Sequence, residues 1–212
     1  MDIRWYGHSC FKITNNRGEA VLFDPCDPDT GYNLSGIKAD IVLCSHQHHD
    51  HNYVSAVTGS PIVVTEPGEY QINGVSIRGR RFYHDNKKGA LRGANTVFSV
   101  WMEGMHVLHL GDLGHIPSES EFKEIGSVDI LFLPVGGVYT INAPEAAEVA
   151  GRIHPRVIIP MHYQTPQLRF RLDDLAPFLR YMGRSRIHRL NQSEAAISSE
   201  SLGNRRILVF SV

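Results

Sequence analysis

Cysteine is scarce in this chain, with only Cys10, Cys26 and Cys44 in 212 residues. The number is odd and the spacing matches neither a disulfide framework nor a zinc ribbon, so reduced structural thiols are expected. Long apolar runs are missing too. No stretch approaches the roughly 20 apolar residues of a membrane span, and the opening MDIRWYGHSCFKI lacks the apolar core of a signal peptide. A cytoplasmic location with no membrane partner is the expectation. Charge excess is also lacking: a formal net charge of -1 sets up no global field toward nucleic acid or a membrane surface. With no low-complexity linker, charge block or short-period repeat, residues 1–212 are expected to form one continuous domain. Hydrophobic residues at 42% and charged residues at 20% exclude a disordered or collagen-like chain.

Histidine, in contrast, is abundant. Twelve occur, five of them before residue 52, and His46 to His51 packs four histidines and Asp50 into six positions. Apolar runs bounded by turn residues predict strands at Ile3 to Ile13, Ala20 to Asp24, Ile41 to Cys44, Pro61 to Thr65, Val97 to Trp101, Val107 to Leu110, Ile130 to Leu133, Val157 to Pro160 and Ile207 to Phe210. Asn15 to Gly18 and Glu103-Gly104 suit hairpin turns, because Asn and Gly accept positive φ. Helices are predicted after Ser118, after the Asn142-Ala143-Pro144 cap, and from Asp173 to a stop at Gly183. The result is a mixed α/β chain in which strands outnumber helices.

Three predicted strands end at polar residues: IVLCSH at His46, ILFLPVGG at a glycine pair and RVIIPMH at His162. Open α/β sheets bind ligands beyond the carboxyl ends of their strands. In an extended exit from a strand, His46 and His48 share a face and His49 points away. Once the chain turns, Asp50 and His51 can reach a second position, so the spacing suggests two metal ions.

His46-X-His48-X-Asp50-His51 is also where the chain resembles the metallo-β-lactamase superfamily, whose HxHxDH signature it matches without substitution. It is most similar to the small branch that includes L-ascorbate-6-phosphate lactonase. Gly7-His8-Ser9, Phe23-Asp24-Pro25, Tyr83-His84-Asp85, Gly111-Asp112-Leu113-Gly114 and Pro160-Met161-His162 follow in the family's order. The resemblance implies an αββα sandwich with a dinuclear site at one edge. By position, it implies His46, His48 and His84 on the first metal, Asp50, His51 and His162 on the second, Asp112 bridging, and Asp24 supporting the loop.

A nitrogen and carboxylate donor set suits two divalent transition-metal ions, zinc or manganese first, with iron or nickel also accommodated. The expected activity is hydrolysis by a metal-bridged hydroxide, which Asp50 would help orient. His8 and His115 each neighbour a motif, so either could donate a proton to the leaving group. His109 differs from Asp112 by an odd number of positions, which favours a core or supporting role.

Arg78, Arg80, Arg81, Lys87, Lys88 and Arg92 surround His84 with only Asp85 against them, and read as a positive rim or as a solvated hairpin. The rim points to a small anionic substrate: a phosphodiester, cyclic nucleotide or sugar-phosphate lactone. Gly136-Gly137 and Tyr139-Thr140 could add backbone N–H and hydroxyl donors. A nucleic acid polymer is disfavoured, since RNA-processing relatives carry a large inserted domain for which this chain has no room. Few loops are available to cover the site, so an oligomer could complete it. The alternatives are an iron-dependent redox enzyme on the same scaffold and a noncatalytic metal-binding protein.

Overall fold

A computed structural model of the chain describes residues 1–183, 186–203 and 206–212. Strands β1 (Asp2–Gly7), β2 (Cys10–Thr14) and β3 (Ala20–Phe23) open a meander, followed by β4 (Ile37–Lys38), β5 (Ile41–Leu43), β6 (Val57–Thr58) and β7 (Ile62–Val64). Next come β8 (Gly68–Ile72), β9 (Val75–Tyr83), β10 (Ala94–Met102) and β11 (Met105–His109). Then helix α1 (Glu119–Ile125), β12 (Ile130–Pro134), α2 (Ala143–Ile153), β13 (Val157–Met161) and α3 (Leu175–Met182) alternate. Strands β14 (Ile187–Arg189), β15 (Glu194–Ala196) and β16 (Arg206–Val209) complete the chain. They build a six-stranded sheet ordered β15-β1-β2-β3-β5-β7, an eight-stranded sheet ordered β14-β16-β13-β12-β11-β10-β9-β8, and a β4-β6 ladder.

The two large sheets pack face to face. Alternation along each strand sends Phe11, Phe23 and Phe132 into the space between them, where the Phe11 and Phe132 rings lie 4.4 Å apart and Phe23 stacks on His109 at 4.8 Å. Every residue of β12 and β13 is buried, because one face meets the other sheet and the opposite face meets the helices. On the outer face of the six-stranded sheet, Cys10, Leu22, Val42 and Cys44 pack against loop residues such as Tyr32, Leu34, Leu168 and Leu172. All three thiols are free and buried, and burial raises their pKa, so they act as small apolar side chains. Among the described residues, no helix is long and apolar enough to cross a membrane.

Local signals account for many boundaries. Ser118 and Asn142 each form a capping box, with Glu121 and Glu145 respectively. Asn15 to Gly18 joins β2 to β3, and Glu103-Gly104 turns β10 into β11 with both residues at positive φ. The run from Ile3 to Ile13 is two strands rather than one, because Gly7 at φ +109° and His8 at φ 51° reverse the chain. Asp174, not Asp173, occupies the N-cap position of helix α3, without a side-chain cap hydrogen bond, and Asp173 N–H donates to Gly136 O. Pro177 is the third residue of that helix, where its missing N–H would have had no partner in any case.

The topology decides where the site lies. Strands β1, β3 and β5 run in one direction in their sheet, and β9, β11, β12 and β13 do so in theirs. Their carboxyl ends lead into His8, Asp24, the His46 to His51 loop, His84, Asp112, Gly136 and His162.

Candidate metal centre

These loops converge. His46, His48 and His84 offer ligand atoms that all lie within 4.8 Å of one another. A second set with the same spacing comprises His8, Asp50, His51 and His162, and a third, of His46, His51 and Asp112, overlaps both. Asp112 reaches to either side: its Oδ2 is 3.2 Å from His84 Nε2 and 3.1 Å from His162 Nε2, and its Oδ1 is 3.2 Å from His51 Nε2.

His46 Nε2 is buried with no protein hydrogen-bond partner, and the close contacts of Asp112 with His51 Nε2 and His162 Nε2 leave those nitrogens and Asp112 Oδ1 without a hydrogen bond of good geometry. An orphaned buried polar atom costs about 1–3 kcal/mol, so a cluster of them in one place calls for a ligand. Imidazole nitrogens and carboxylate oxygens at this spacing fit divalent transition-metal ions.

Asp24 sets the tautomers. Its carboxylate accepts from Ser45 N at 2.7 Å, Ser45 Oγ at 2.7 Å and His51 Nδ1 at 2.8 Å. With the Ser45 hydroxyl proton directed at Asp24, His46 Nδ1–H donates to Ser45 Oγ at 2.9 Å. Both rings therefore present an unprotonated Nε2 to the cluster when neutral. Burial opposes ionisation of Asp24, yet the His51, His109 and His46 rings outweigh it and hold the carboxyl below its usual range. Burial pushes His46 down to about 3, and burial with the neighbouring His162 ring pushes His8 down to about 4. His51 differs: burial is overcome by Asp112, Asp50 and Asp24, and its pKa is raised. The same three carboxylates would draw a cation to this end of the cluster.

The proton-donor candidates separate. His8 joins the cluster, with its Nε2 3.2 Å from Asp50 Oδ2. His115 is not brought there: Tyr83 N–H donates to its Nε2 at 3.4 Å, its Nδ1–H donates to Ile116 O, and its ring stacks on Phe82. His109 is a supporting residue, donating from Nε2 to Ser9 O and accepting Gly111 N–H at Nδ1. Asn95, which no sequence motif marks, clamps the Asp112 loop by accepting Asp112 N–H and donating to Leu110 O. Two glycines explain how the loops fit together. A Cβ on Gly114 would lie 2.2 Å from the His84 carbonyl carbon, and one on Gly136 would lie 2.1 Å from His162 O.

The basic segment divides as well. Arg78 and Arg80 pair with Glu69 across the β8-β9 hairpin, and Arg78 also lies over the Trp101 ring. Of the segment, Arg92 lines the cleft of about 560 Å³ beside the cluster, which it shares with Tyr139, Arg169, Phe170 and Asp29. Arg81 lines an adjoining recess that shares His48 and Arg92 with that cleft. Asp85 organises the loop that presents Arg92, its carboxylate accepting N–H groups from Lys87, Gly89, Leu91 and Arg92 at 2.7–2.9 Å. Tyr139 N–H and Thr140 N–H donate to Gly137 O, so this turn contributes the Tyr139 ring to the cleft instead of those two donors. Arg169 and Phe170 were not anticipated. The only sequence hint was an aromatic between arginines, Arg169-Phe170-Arg171, a few residues beyond His162.

Comparison with known proteins agrees with this architecture. A family model described as a beta-lactamase superfamily domain matches residues 2–162. A UPF0173 metal-dependent hydrolase of Thermoplasma volcanium is 31% identical over 197 residues, covering 78% of this chain and 85% of that protein. A UPF0173 metal-dependent hydrolase of Pyrobaculum arsenaticum is 30% identical, covering 88% of this chain and 95% of that protein. The crystal structure of a metallo-beta-lactamase superfamily protein from Thermotoga maritima superimposes with a TM-score of 0.82 at 37% identity, covering 99% of this chain and 97% of that one. The αββα sandwich is therefore the observed fold, with the outer layer on the six-stranded side built from loops and 3₁₀ turns. The chain belongs to the beta-lactamase superfamily and is a metal-dependent hydrolase of the metallo-β-lactamase fold.

Proposed function

We propose that this hydrolase uses two divalent metal ions and acts on a small anionic ester: a phosphodiester, cyclic nucleotide or sugar-phosphate lactone. The observation that carries the reading is the set of buried ligand atoms of His46, His51, His162 and Asp112, left without a hydrogen bond of good geometry, in overlapping groups. In this reading His46, His48 and His84 would hold one ion and Asp50, His51 and His162 the second, with Asp112, whose Oδ2 lies near both His84 and His162, between the two sets. When bound, such ions supply Lewis acidity and acidify water at neutral pH.

The chain's own residues do the rest. Asp24 orients His51 directly and His46 through Ser45. His8 Nε2 is placed to donate to Asp50 Oδ2, which restricts that carboxylate to one orientation. Phe170 packs edge-on to His8 at 5.4 Å and backs its ring. Arg92 and Arg169 supply the positive charge facing the substrate.

The test is elemental analysis after reconstitution with zinc, manganese or iron, followed by assays of one phosphodiester and one sugar-phosphate lactone on the same samples. About two ions per chain and metal-dependent turnover are expected. Saturation at one ion would refute the dinuclear reading. Metal loading without turnover of either ester would refute the substrate class. An optical spectrum of the protein as purified separates iron redox chemistry from zinc or manganese hydrolysis.

A further inference from the structure

We infer that the cleft beside the histidine cluster binds a phosphoester anion carried on a planar ring, with Arg92 and Arg169 taking the anion and Tyr139 and Phe170 taking the ring. The assignment deepens the hydrolase reading above and rests on it for its place in turnover.

The anion half follows from pairing. Arg78 and Arg80 are neutralised by Glu69, whereas Arg92 and Arg169 form no ion pair with a carboxylate among the described residues. Arg92 lies over the Tyr139 ring at 5.5 Å, an arrangement that engages the guanidinium face and leaves its edge to form a two-pronged contact with phosphate. The loop behind it is held by the four amides on Asp85, so Arg92 starts from a constrained backbone. Asp29 is the opposing exposed carboxylate in the lining.

The ring half follows from a continuous aromatic wall. Tyr139 meets Phe170 edge-on at 6.4 Å, Phe170 meets His8 at 5.4 Å, and His8 contacts Asp50 in the cluster. Four loops from distant parts of the chain supply this wall and Arg92. Tyr139 is 41% exposed and its neighbour Val138 51% exposed, a large apolar surface to leave beside an ionic cluster unless a ligand covers it. Val138 has φ 56°, strained for a β-branched residue, in a tight turn where Tyr139 N–H donates to Gly137 O. Strain of this kind at a site's mouth is retained where it aims a neighbouring side chain. A cleft of about 560 Å³ is in the range that accepts a ligand with both a ring and an anion.

The experiment is calorimetric titration of the metal-loaded protein with phenylphosphonate and with methylphosphonate, which share the anion and differ in the ring. The wild type should prefer phenylphosphonate by at least about fivefold, the lower end for a ring stacked on aromatic side chains. Arg92→Gln and Arg169→Gln should each weaken both phosphonates by about tenfold, as expected for one lost charge-assisted contact. Tyr139→Ala should abolish the ring preference while keeping the anion affinity. Asp29→Asn should tighten both ligands. Metal content, measured in parallel, should match wild type throughout. Equal wild-type affinities for the two phosphonates overturn the ring assignment, and unchanged affinity in both arginine variants overturns the anion assignment. Turnover of bis(4-nitrophenyl) phosphate by the same samples tests the hydrolase reading separately. No turnover with intact ring and arginine dependence defeats that reading and leaves the binding site standing; turnover without either dependence does the reverse.

Discussion

Asp85 offers the clearest test of how this fold positions its cleft. The side chain is 3% exposed and its carboxylate accepts four backbone N–H groups, from Lys87 and Gly89 at Oδ1 and from Leu91 and Arg92 at Oδ2. Asp85→Asn retains one acceptor oxygen and turns an amide NH2 toward the other two donors. Hydrogen bonds to a charged group contribute about 1.5–3 kcal/mol each, and the loop borders solvent and can relax, so a net loss of about 2–3 kcal/mol is expected. For a chain of this size that lowers the thermal midpoint by about 4–12 °C.

The pH dependence has a definite sign. The four amides hold Asp85 at about 2 in the folded protein, although desolvation opposes this, while an unfolded Asp titrates at about 3.9. The folded pKa is depressed, so the charge contribution is complete above about pH 4 and fades as pH falls through about 2, with roughly half gone at pH 3. Denaturant unfolding of wild type and Asp85→Asn at pH 7 and pH 3 measures it. The difference in stability should be largest at pH 7. Phenylphosphonate affinity should also fall, because Arg92 loses its backbone anchor. A midpoint within 1 °C of wild type at pH 7, or a difference that grows toward acid, would refute the reasoning.

Other substitutions test the metal centre. Asp24→Asn disturbs the hydrogen bonds that orient His51 and His46 and should weaken metal binding by about 10–100-fold, read by competition with a chelator, with the far-UV spectrum near wild type. Gly136→Ala places a methyl 2.1 Å from His162 O, so the loops must part; metal stoichiometry and thermal midpoint should both fall, and normal values for both would show that the close approach is dispensable. His115→Gln should leave kcat/KM on any ester within about twofold of wild type, since its ring is held by the backbone of Tyr83 and Ile116 away from the cluster; a hundredfold loss would restore it as a proton donor.

What could be read from the chain alone was local. The capping boxes of Ser118 and Asn142 and the turn at Glu103-Gly104 depend on neighbours within a few residues, and they form as their spacing predicts. Asn73-Gly74 is a local signal of the same kind: both residues have positive φ and join β8 to β9 as a hairpin. The spacing of His46, His48, Asp50 and His51 likewise announced a ligand loop at a strand end, because alternation and a turn are properties of the segment itself. The tertiary structure decided the rest. Whether Arg80 or Arg92 faces the cleft depends on β9 pairing with β8, which brings Glu69 to Arg80, and on Asp85 gathering the loop that follows. Whether His8 or His115 meets Asp50 depends on where the β1-β2 turn of one sheet sits against the loops of the other. Arg169 and Phe170 enter the site through a loop that no periodicity describes. Contacts between residues 8, 50, 92, 139 and 170 are set by the register and packing of two sheets, and side-chain pattern along one segment carries no record of those distances.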